Sequence, residues 1–387
     1  MQKTIFRQLL DLVSQRNFRI IAARYDKTTS QQKLSAWEQF VSMSFAQLTS
    51  CRGLREIESG FESISHKSYQ LGIRTKISKS SLSRANNTRP SIIFQKFAYS
   101  LIEKAKEYYK QDSFLDDLDA IVYALDSTYI SLCLSLCNWG QIGKQNIAGI
   151  KLHTLLDVGS SIPSFISVTN GSAPDNRMLD LITIEPGAFY VMDKAYVDFK
   201  RLNKIDEQKG FFVVRFKKNI KFKRATSNSF EPKLGVMADQ VGYLTGCVGK
   251  KDYGSKIRKI IFHDHEKNKT LVFMTNNFSV NPQIIAMLYK HRWKIEIFFR
   301  WIKQNLRIKK FYGTSLNAVE TQIWIAISTY LLVAIAKKRL QLERPIQQIL
   351  HILSFSIIET IELFHIVNNT HPPEVGCSPF KQLNLFN

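Results

Sequence analysis

The feature that most constrains the fold is a change of hydrophobic period near residue 120. Before it, apolar side chains recur at helical spacing, in Phe6, Leu9, Leu10, Leu12 and Val13 and again in Trp37, Phe40, Val41, Met43, Phe45 and Leu48. Ser30 and Ser35 are candidate N-caps in this stretch. After it, β-branched and aromatic runs take over. Residues 121–132 read as a buried strand, 149–157 alternate, and 162–169 make a third strand. A short helix over 176–184, a strand over 188–193, a helix over 197–207 and a strand from 211 follow. Three strands in sequence, then helix–strand–helix–strand, predict an α/β fold on a mixed sheet. From 217 to about 276 the helical pattern is lost, which predicts a β-rich insertion. A long helix is expected from Asn281-Pro282, where proline suits the first turn, and apolar helices with a polar tail fill the chain from Ala318.

Charge narrows the partners. The chain carries 54 Lys and Arg against 32 Asp and Glu, a net +22. Self-repulsion on that scale is best tolerated beside a polyanion, and nucleic acid is the usual one, with an anionic membrane surface as the alternative. Membrane signals are weak. The first ten residues lack the unbroken apolar core of a signal peptide. The best apolar run, 323–336, includes Ser328 and Thr329, is too short to span, and reads as a buried core helix. The five cysteines, Cys51, Cys133, Cys137, Cys247 and Cys377, are too scattered for a disulfide framework or a zinc site. They fit a reducing cytoplasm.

The chemistry concentrates in residues 289–303. Tyr289, Arg292, Glu296 and Lys303 are spaced by three, four and seven residues, which returns them near one face of a helix. One carboxylate among cations suits a divalent metal held against a phosphodiester: the acid serves the metal, and the cations and phenol serve the phosphates. Two more acids, Asp126 and Asp193, terminate apolar strand-like runs, and sites in open α/β sheets form at the carboxyl ends of strands. Each alone reads equally as a helix cap or a lysine partner. Together, in this order, converging carboxylates would repel unless a divalent cation relieved them.

The motif Tyr289-x2-Arg292-x3-Glu296-x6-Lys303 resembles the signature of the insertion-sequence-four family of DDE transposases, complete in residue type and spacing. Asp126-Ser-Thr resembles the family's first catalytic aspartate region. Val191-Met-Asp193-Lys-Ala-Tyr196 resembles the second, with Ala195 where a glycine often stands. The N-terminal run around Trp37-Glu-Gln-Phe and Leu54-Arg-Glu-Ile-Glu looks like the helical leader of one subgroup. The resemblance implies an RNase H-like mixed-sheet core holding two Mg²⁺ ions, with Mn²⁺ as substitute, on Asp126, Asp193 and Glu296. It implies phosphate contacts from Tyr289, Arg292 and Lys303, with Arg300 beside them. The reaction would be cut-and-paste movement, commonly through hairpin ends, with an aromatic holding an unstacked base. Its partners would be double-stranded DNA, as inverted-repeat ends and target, and a second copy of the chain in the synaptic complex, with no membrane.

The expected layout is a helical DNA-binding domain over 1–115, catalytic core over 116–216, the insertion over 217–278, core helices over 279–335 and a helical tail over 336–387. Within the first, a short helix limited by Pro90 carries Arg74, Lys76, Lys79, Arg84 and Arg89, with Ile73, Ile77, Leu82 and Ala85 left to pack. It reads either as the recognition half of a helix-turn-helix, making Arg74, Lys79 and Arg84 DNA contacts, or as a solvated basic helix. The basic stretch 201–224 reads as a phosphate-tracking surface or as a strand edge protected by charge. Arg307, Lys309 and Lys310 would extend the basic helix. His263-Asp-His265 reads as a turn rather than a metal site, and Trp293 and Trp301 as core. The rings offered by the insertion are Phe222, Phe230, Tyr243, Tyr253, Phe262 and Phe273. Three functions compete: a Mg²⁺-dependent transposase, a DNA-binding remnant without catalysis, and a metal nuclease without strand transfer. All three acids being present argues against the remnant.

Overall fold

The structure is a computed structural model. It describes residues 3–26, 34–49, 51–109, 118, 120–132, 141–142, 145–231, 235–305 and 311–368. Ser30, Cys133, Cys137, Cys377, Arg307, Lys309, Lys310 and the side chain of Trp301 lie outside what is described. The chain divides into two compact units: Met1–Tyr108 with Lys310–Gly313 and Asn317–Asn387, and Tyr109–Lys309 with Thr314–Leu316.

The first unit is helical among its described residues. It contains α1 (Ile5–Asp11), α2 (Gln15–Tyr25), α3 (Ala36–Thr49), α4 (Leu54–Ser63), α5 (Lys79–Thr88) and α6 (Ile92–Tyr109), and later α11 (Leu316–Arg339), α12 (Ile346–Ser356) and α13 (Leu363–Asn368). Ser35 caps α3 reciprocally: its Oγ accepts from the Glu38 N–H at 3.2 Å while its own N–H donates to Glu38 Oε2 at 2.8 Å. Phe18, Trp37, Phe40 and Phe97 pack ring against ring in the core. α11 is long and apolar enough to cross a membrane by length and composition, yet the relevant window is 94% buried within the protein, as a core helix would be.

Around α5 the apolar residues Ile73, Ile77, Leu82 and Ala85 are buried, and Arg74, Lys76, Lys79 and Arg84 are exposed. Arg89 departs from the expected surface set. It is 2% exposed, donates to Asp26 Oδ2 at 2.9 Å, to Gln39 Oε1 at 2.6 Å and to the Leu34 carbonyl at 2.7 Å, and so fastens the unit from within.

In the second unit ten strands form one mixed sheet among the described residues. They are β1 (Val122–Leu132), β2 (Gln141–Ile142), β3 (Gln145–Asp157), β4 (Pro163–Asn170), β5 (Phe189–Met192), β6 (Phe211–Arg215), β7 (Phe222–Ser227), β8 (Val236–Leu244), β9 (Ile257–Asp264) and β10 (Lys269–Thr275). Their order is β2-β3-β1-β5-β6-β10-β9-β8-β7, with β4 on β3. The pairs β1–β5 and β5–β6 are parallel, and the rest are antiparallel. The strands expected of an insertion therefore extend the central sheet, because β10 pairs with β6. That stretch also holds a short helix, α8 (Cys247–Asp252), which the sequence pattern did not suggest: four of its six residues are glycine, lysine or aspartate in a loop-like mix. The helix expected over 176–184 is a 3₁₀ turn, Asp175–Asp180, opened by Pro174. α7 (Phe199–Glu207) lies against β6, and its Leu202 and Ile205 enter a core with Leu125, Tyr190, Met192, Phe212 and Met274.

The long helix expected from Pro282 is two: α9 (Pro282–His291) and α10 (Trp293–Asn305). Asn281 caps α9 with proline in its first turn. The break falls at Arg292, whose N–H bonds the Tyr289 carbonyl at 3.1 Å in the tighter i to i+3 manner. α9 packs on β5, β6 and β8, and α10 on β1.

Candidate functional site

The sheet register brings the two aspartates side by side. The last parallel pair of β1 and β5 is Leu125 with Met192, so Asp126 and Asp193 are the next residues on neighbouring strands. Leu125 and Met192 both point into the apolar core, and strand alternation turns the following carboxylates to the opposite face. Asp126 does not end its strand, as its sequence suggested. β1 runs on to Leu132, held by β3 through pairs such as Asp126 with Thr154. What ends at Asp126 is the parallel pairing, which opens space beside it.

The helix break supplies the other members. Arg292 spreads its guanidinium between two acids, donating from Nη1 to Asp126 Oδ2 at 2.6 Å and from Nη2 to Glu296 Oε1 at 2.6 Å. The Tyr289 hydroxyl donates to Asp193 Oδ1 at 3.2 Å, and the Arg292 guanidinium lies 5.8 Å from the Tyr289 ring centre. A straight helix would place Tyr289, Arg292 and Glu296 along one line. The break lets Tyr289 serve one aspartate from α9 while Glu296 approaches the other from α10. Arg292 and Asp126 are mostly buried, whereas the Glu296 side chain is 53% exposed. Arg300 and Lys303 are exposed further along α10, Lys303 two turns or about 10 Å beyond Glu296.

The electrostatics are those of crowded carboxylates. Burial pushes the Asp126 carboxyl up, and the charges of Glu296 and Asp193 push the same way, while the Ser127 N–H and Arg292 oppose them. Burial lowers the Arg292 guanidinium, but Asp126, Tyr289 and Glu296 outweigh it and hold the cation firmly charged. Burial is also the main reason the Tyr289 phenol is pushed up to about 12. Among the described residues, Arg292 Nε is buried without a hydrogen-bond partner.

Among the described residues no group of three or more His, Cys, Asp and Glu side chains stands in metal-holding geometry. Arg292 occupies the space between two of the three acids. The donor chemistry still fits a hard divalent cation: three carboxylates, oxygen donors only, each within electrostatic reach of Asp126. His263 and His265 stack edge to face at 4.8 Å at the β9–β10 turn and belong to no such group.

A second polar cluster lies behind Asp126, and nothing in the sequence marks it. Asp175 Oδ1 accepts from Ser127 Oγ at 2.7 Å and from Lys151 Nζ at 3.2 Å. His153, paired across the strands with Ser127, is fully buried, and its Nε2 lies 2.8 Å from Thr169 Oγ1. Burial lowers its pKa to about 4, against the pull of Asp175. The members come from β1, β3, β4 and the start of the 3₁₀ turn Asp175–Asp180, so only the tertiary fold unites them. Burial, then Asp126 and Asp175, raise the pKa of the Tyr196 phenol beside them.

Trp293, expected in the core, is 49% exposed. It sits one residue past the helix break and lines a cavity of about 920 Å³ with Phe262, Leu271, Met287, Arg292 and Glu296. Of the six rings offered by the insertion, Tyr253 and Phe273 are buried, Phe222, Phe230 and Phe262 are half-buried, and Tyr243 is exposed. Arg74, Lys79 and Arg84 belong to the first unit.

Comparison with known proteins gives this arrangement its class. The transposase DDE domain matches residues 117–332, more than half of the chain, and the chain belongs to that family. Residues 1–74 match a domain of unknown function. A putative transposase, y4zB, of Sinorhizobium fredii is 29% identical over 270 residues, covering 67% of this chain and 74% of its own. A probable transposase for insertion sequence element IS5377 of Geobacillus stearothermophilus is 30% identical over 209 residues, 54% of each chain. Among solved structures, the piggyBac transposase synaptic complex with hairpin DNA aligns over 96% of this chain and 84% of that one, at 11% identity and a TM-score of 0.46.

Proposed function

We propose that this chain is an insertion-sequence transposase of the insertion-sequence-four type, with an RNase H-like core, that cuts and rejoins DNA at the inverted-repeat ends of its own element. The observation that carries the reading is the convergence of Asp126, Asp193 and Glu296 about Arg292 and Tyr289, inside a segment that matches the DDE domain. Asp126, Asp193 and Glu296 would hold the divalent ions, Mg²⁺ with Mn²⁺ as substitute. When bound, such ions lower the pKa of an attacking water or 3′-hydroxyl and stabilise the leaving oxygen.

The residues themselves do the positioning. Arg292 bridges Asp126 and Glu296 and offsets their mutual repulsion. Its planar guanidinium fork is of the kind that suits a phosphate. Tyr289 fixes the Asp193 carboxylate through one hydrogen bond, and exposed Arg300 and Lys303 continue the cationic track along α10. The resemblance to the insertion-sequence-four family supports cut-and-paste movement through hairpin ends, two copies of the chain in the synaptic complex, and action in a bacterial cytoplasm. On the helix-turn-helix reading of α5, Arg74, Lys79 and Arg84 would contact DNA from the helical unit.

The test is cleavage of labelled duplexes ending in the element's inverted repeats, with Mg²⁺. Cutting and joining at the repeat boundary would support the reading. Duplex cutting with free ends and no joined product would leave a nuclease in its place.

A further inference from the structure

The sheet ends in an open, basic edge. Among the described residues β7 pairs only with β8, and from Lys223 to Ser227 every residue is exposed. Lys218 and Lys221 precede it, and Lys223 and Arg224 lie on it. The Lys221 carbonyl accepts from the Thr245 N–H at 3.0 Å, which brings this lysine to the start of α8 and its exposed Lys250 and Lys251. Tyr243, 42% exposed, stands directly across the strands from Lys223. Gly242 makes that close pairing possible, since a Cβ there would lie 2.2 Å from the Lys223 carbonyl oxygen.

Several cations elsewhere in this unit are held in ion pairs. Arg201, Arg258, Lys290 and Arg292 each hold a carboxylate. Among the described residues, none of the six cations at the β7–α8 edge has one within 4.0 Å. Six without counter-ions, beside a row of unpaired backbone donors and one exposed ring, match a repeating line of negative charge. A second copy pairing along the same edge would bring like charges together, so self-association there is disfavoured.

We infer that the β7–α8 edge is a docking surface for the phosphate backbone of duplex DNA, separate from the three-acid site. The inference rests on the transposase reading for its partner. Each cation is a point contact that releases a condensed counter-ion on binding, so the surface contributes affinity without base selectivity. Tyr243 adds a flat apolar face against the sugar edge.

The experiment is fluorescence anisotropy of a labelled duplex of arbitrary sequence across a KCl series, with thermal unfolding of each variant as the check on folding. The variants are Lys221→Gln/Lys223→Gln/Arg224→Gln and, separately, Lys250→Gln/Lys251→Gln. The triple variant is expected to reduce the slope of log affinity against log salt by about 2 to 3, and the double variant by about 1 to 2. Unchanged slopes in both, with wild-type protein binding the duplex, would overturn the surface and leave the acid site standing. A wild-type protein that binds no duplex at low salt would remove both this surface and the transposase reading. Lost self-association in light scattering, at unchanged DNA affinity, would assign the edge to a second copy instead.

Discussion

Two regions of the same sheet, its centre and its β7 edge, treat charge in opposite ways. At the end of the β1–β5 pairing three acids are gathered, with Arg292 bridging Asp126 and Glu296 and the Tyr289 hydroxyl holding Asp193. At the β7 edge, cations are gathered and left without acids, in full contact with water. The first arrangement is costly unless something cationic fills it, and the second is wasteful unless something anionic lies along it. On the proposed function, a metal-bearing phosphodiester would satisfy the first, and a stretch of double helix would satisfy the second. The difference separates chemistry from grip, and it tells which substitutions should affect which.

The largest expected effect breaks the acid centre. Asp193→Ala should lower cleavage by more than about 10³-fold, roughly 4 kcal/mol of barrier, while end binding measured by anisotropy stays within about twofold. Loss of binding with the fold intact would mean that Asp193 belongs to the grip and not to the chemistry.

Between the two regions lies a buried ion pair that holds them in one sheet. Arg258 and Asp239, 3% and 1% exposed, bond on adjacent strands, and Arg258 also donates to the Val280 carbonyl ahead of α9. Asp239→Ala strands a buried cation and should destabilise the unit by about 3–5 kcal/mol in urea unfolding. A shift well under 1 kcal/mol would show that the strands of β7 and β8 do not depend on it.

The cluster behind Asp126 sharpens the contrast by pH. The folded chain protonates His153 only near pH 4, against an ordinary 6.5, because burial disfavours the charged ring. The unfolded chain therefore binds the proton first as pH falls. Stability is full above about 6.5 and is lost toward 4, by on the order of 3 kcal/mol. His153→Gln should flatten that part of the pH–stability curve, and an unchanged slope would locate the dependence elsewhere.

The smallest expected effect is at Arg292, which belongs to both behaviours. Arg292→Ala should slow end processing and reduce the salt slope of end binding by about 1. An unchanged rate and slope would remove it from the phosphate contacts.

How much of this could be read from the sequence follows from what is local. The strands, the acids and the spacing from Tyr289 to Lys303 are local patterns, and the residues on them meet where alternation and register place them. The break at Arg292 was not legible, because nothing between His291 and Trp293 is a helix breaker and the kink answers to what Arg292 must reach across the sheet. For the same reason Trp293 read as core and is half exposed. Arg89 read as surface because its partners, Asp26, Gln39 and Leu34, are remote in sequence. Asp175 joins Ser127 and Lys151 only through the pairing of β1 with β3. Long-range register governs each of these, and a single sequence does not display it.

The most direct measurement is Mg²⁺-dependent cutting of labelled inverted-repeat duplexes by the wild-type protein and by Glu296→Ala. The account predicts specific cutting at the repeat boundary by the wild type, none by the variant, and equal duplex binding by both. Cutting that survives Glu296→Ala would contradict the three-acid site, and binding without cutting by the wild type would contradict the assignment of chemistry to that region of the sheet.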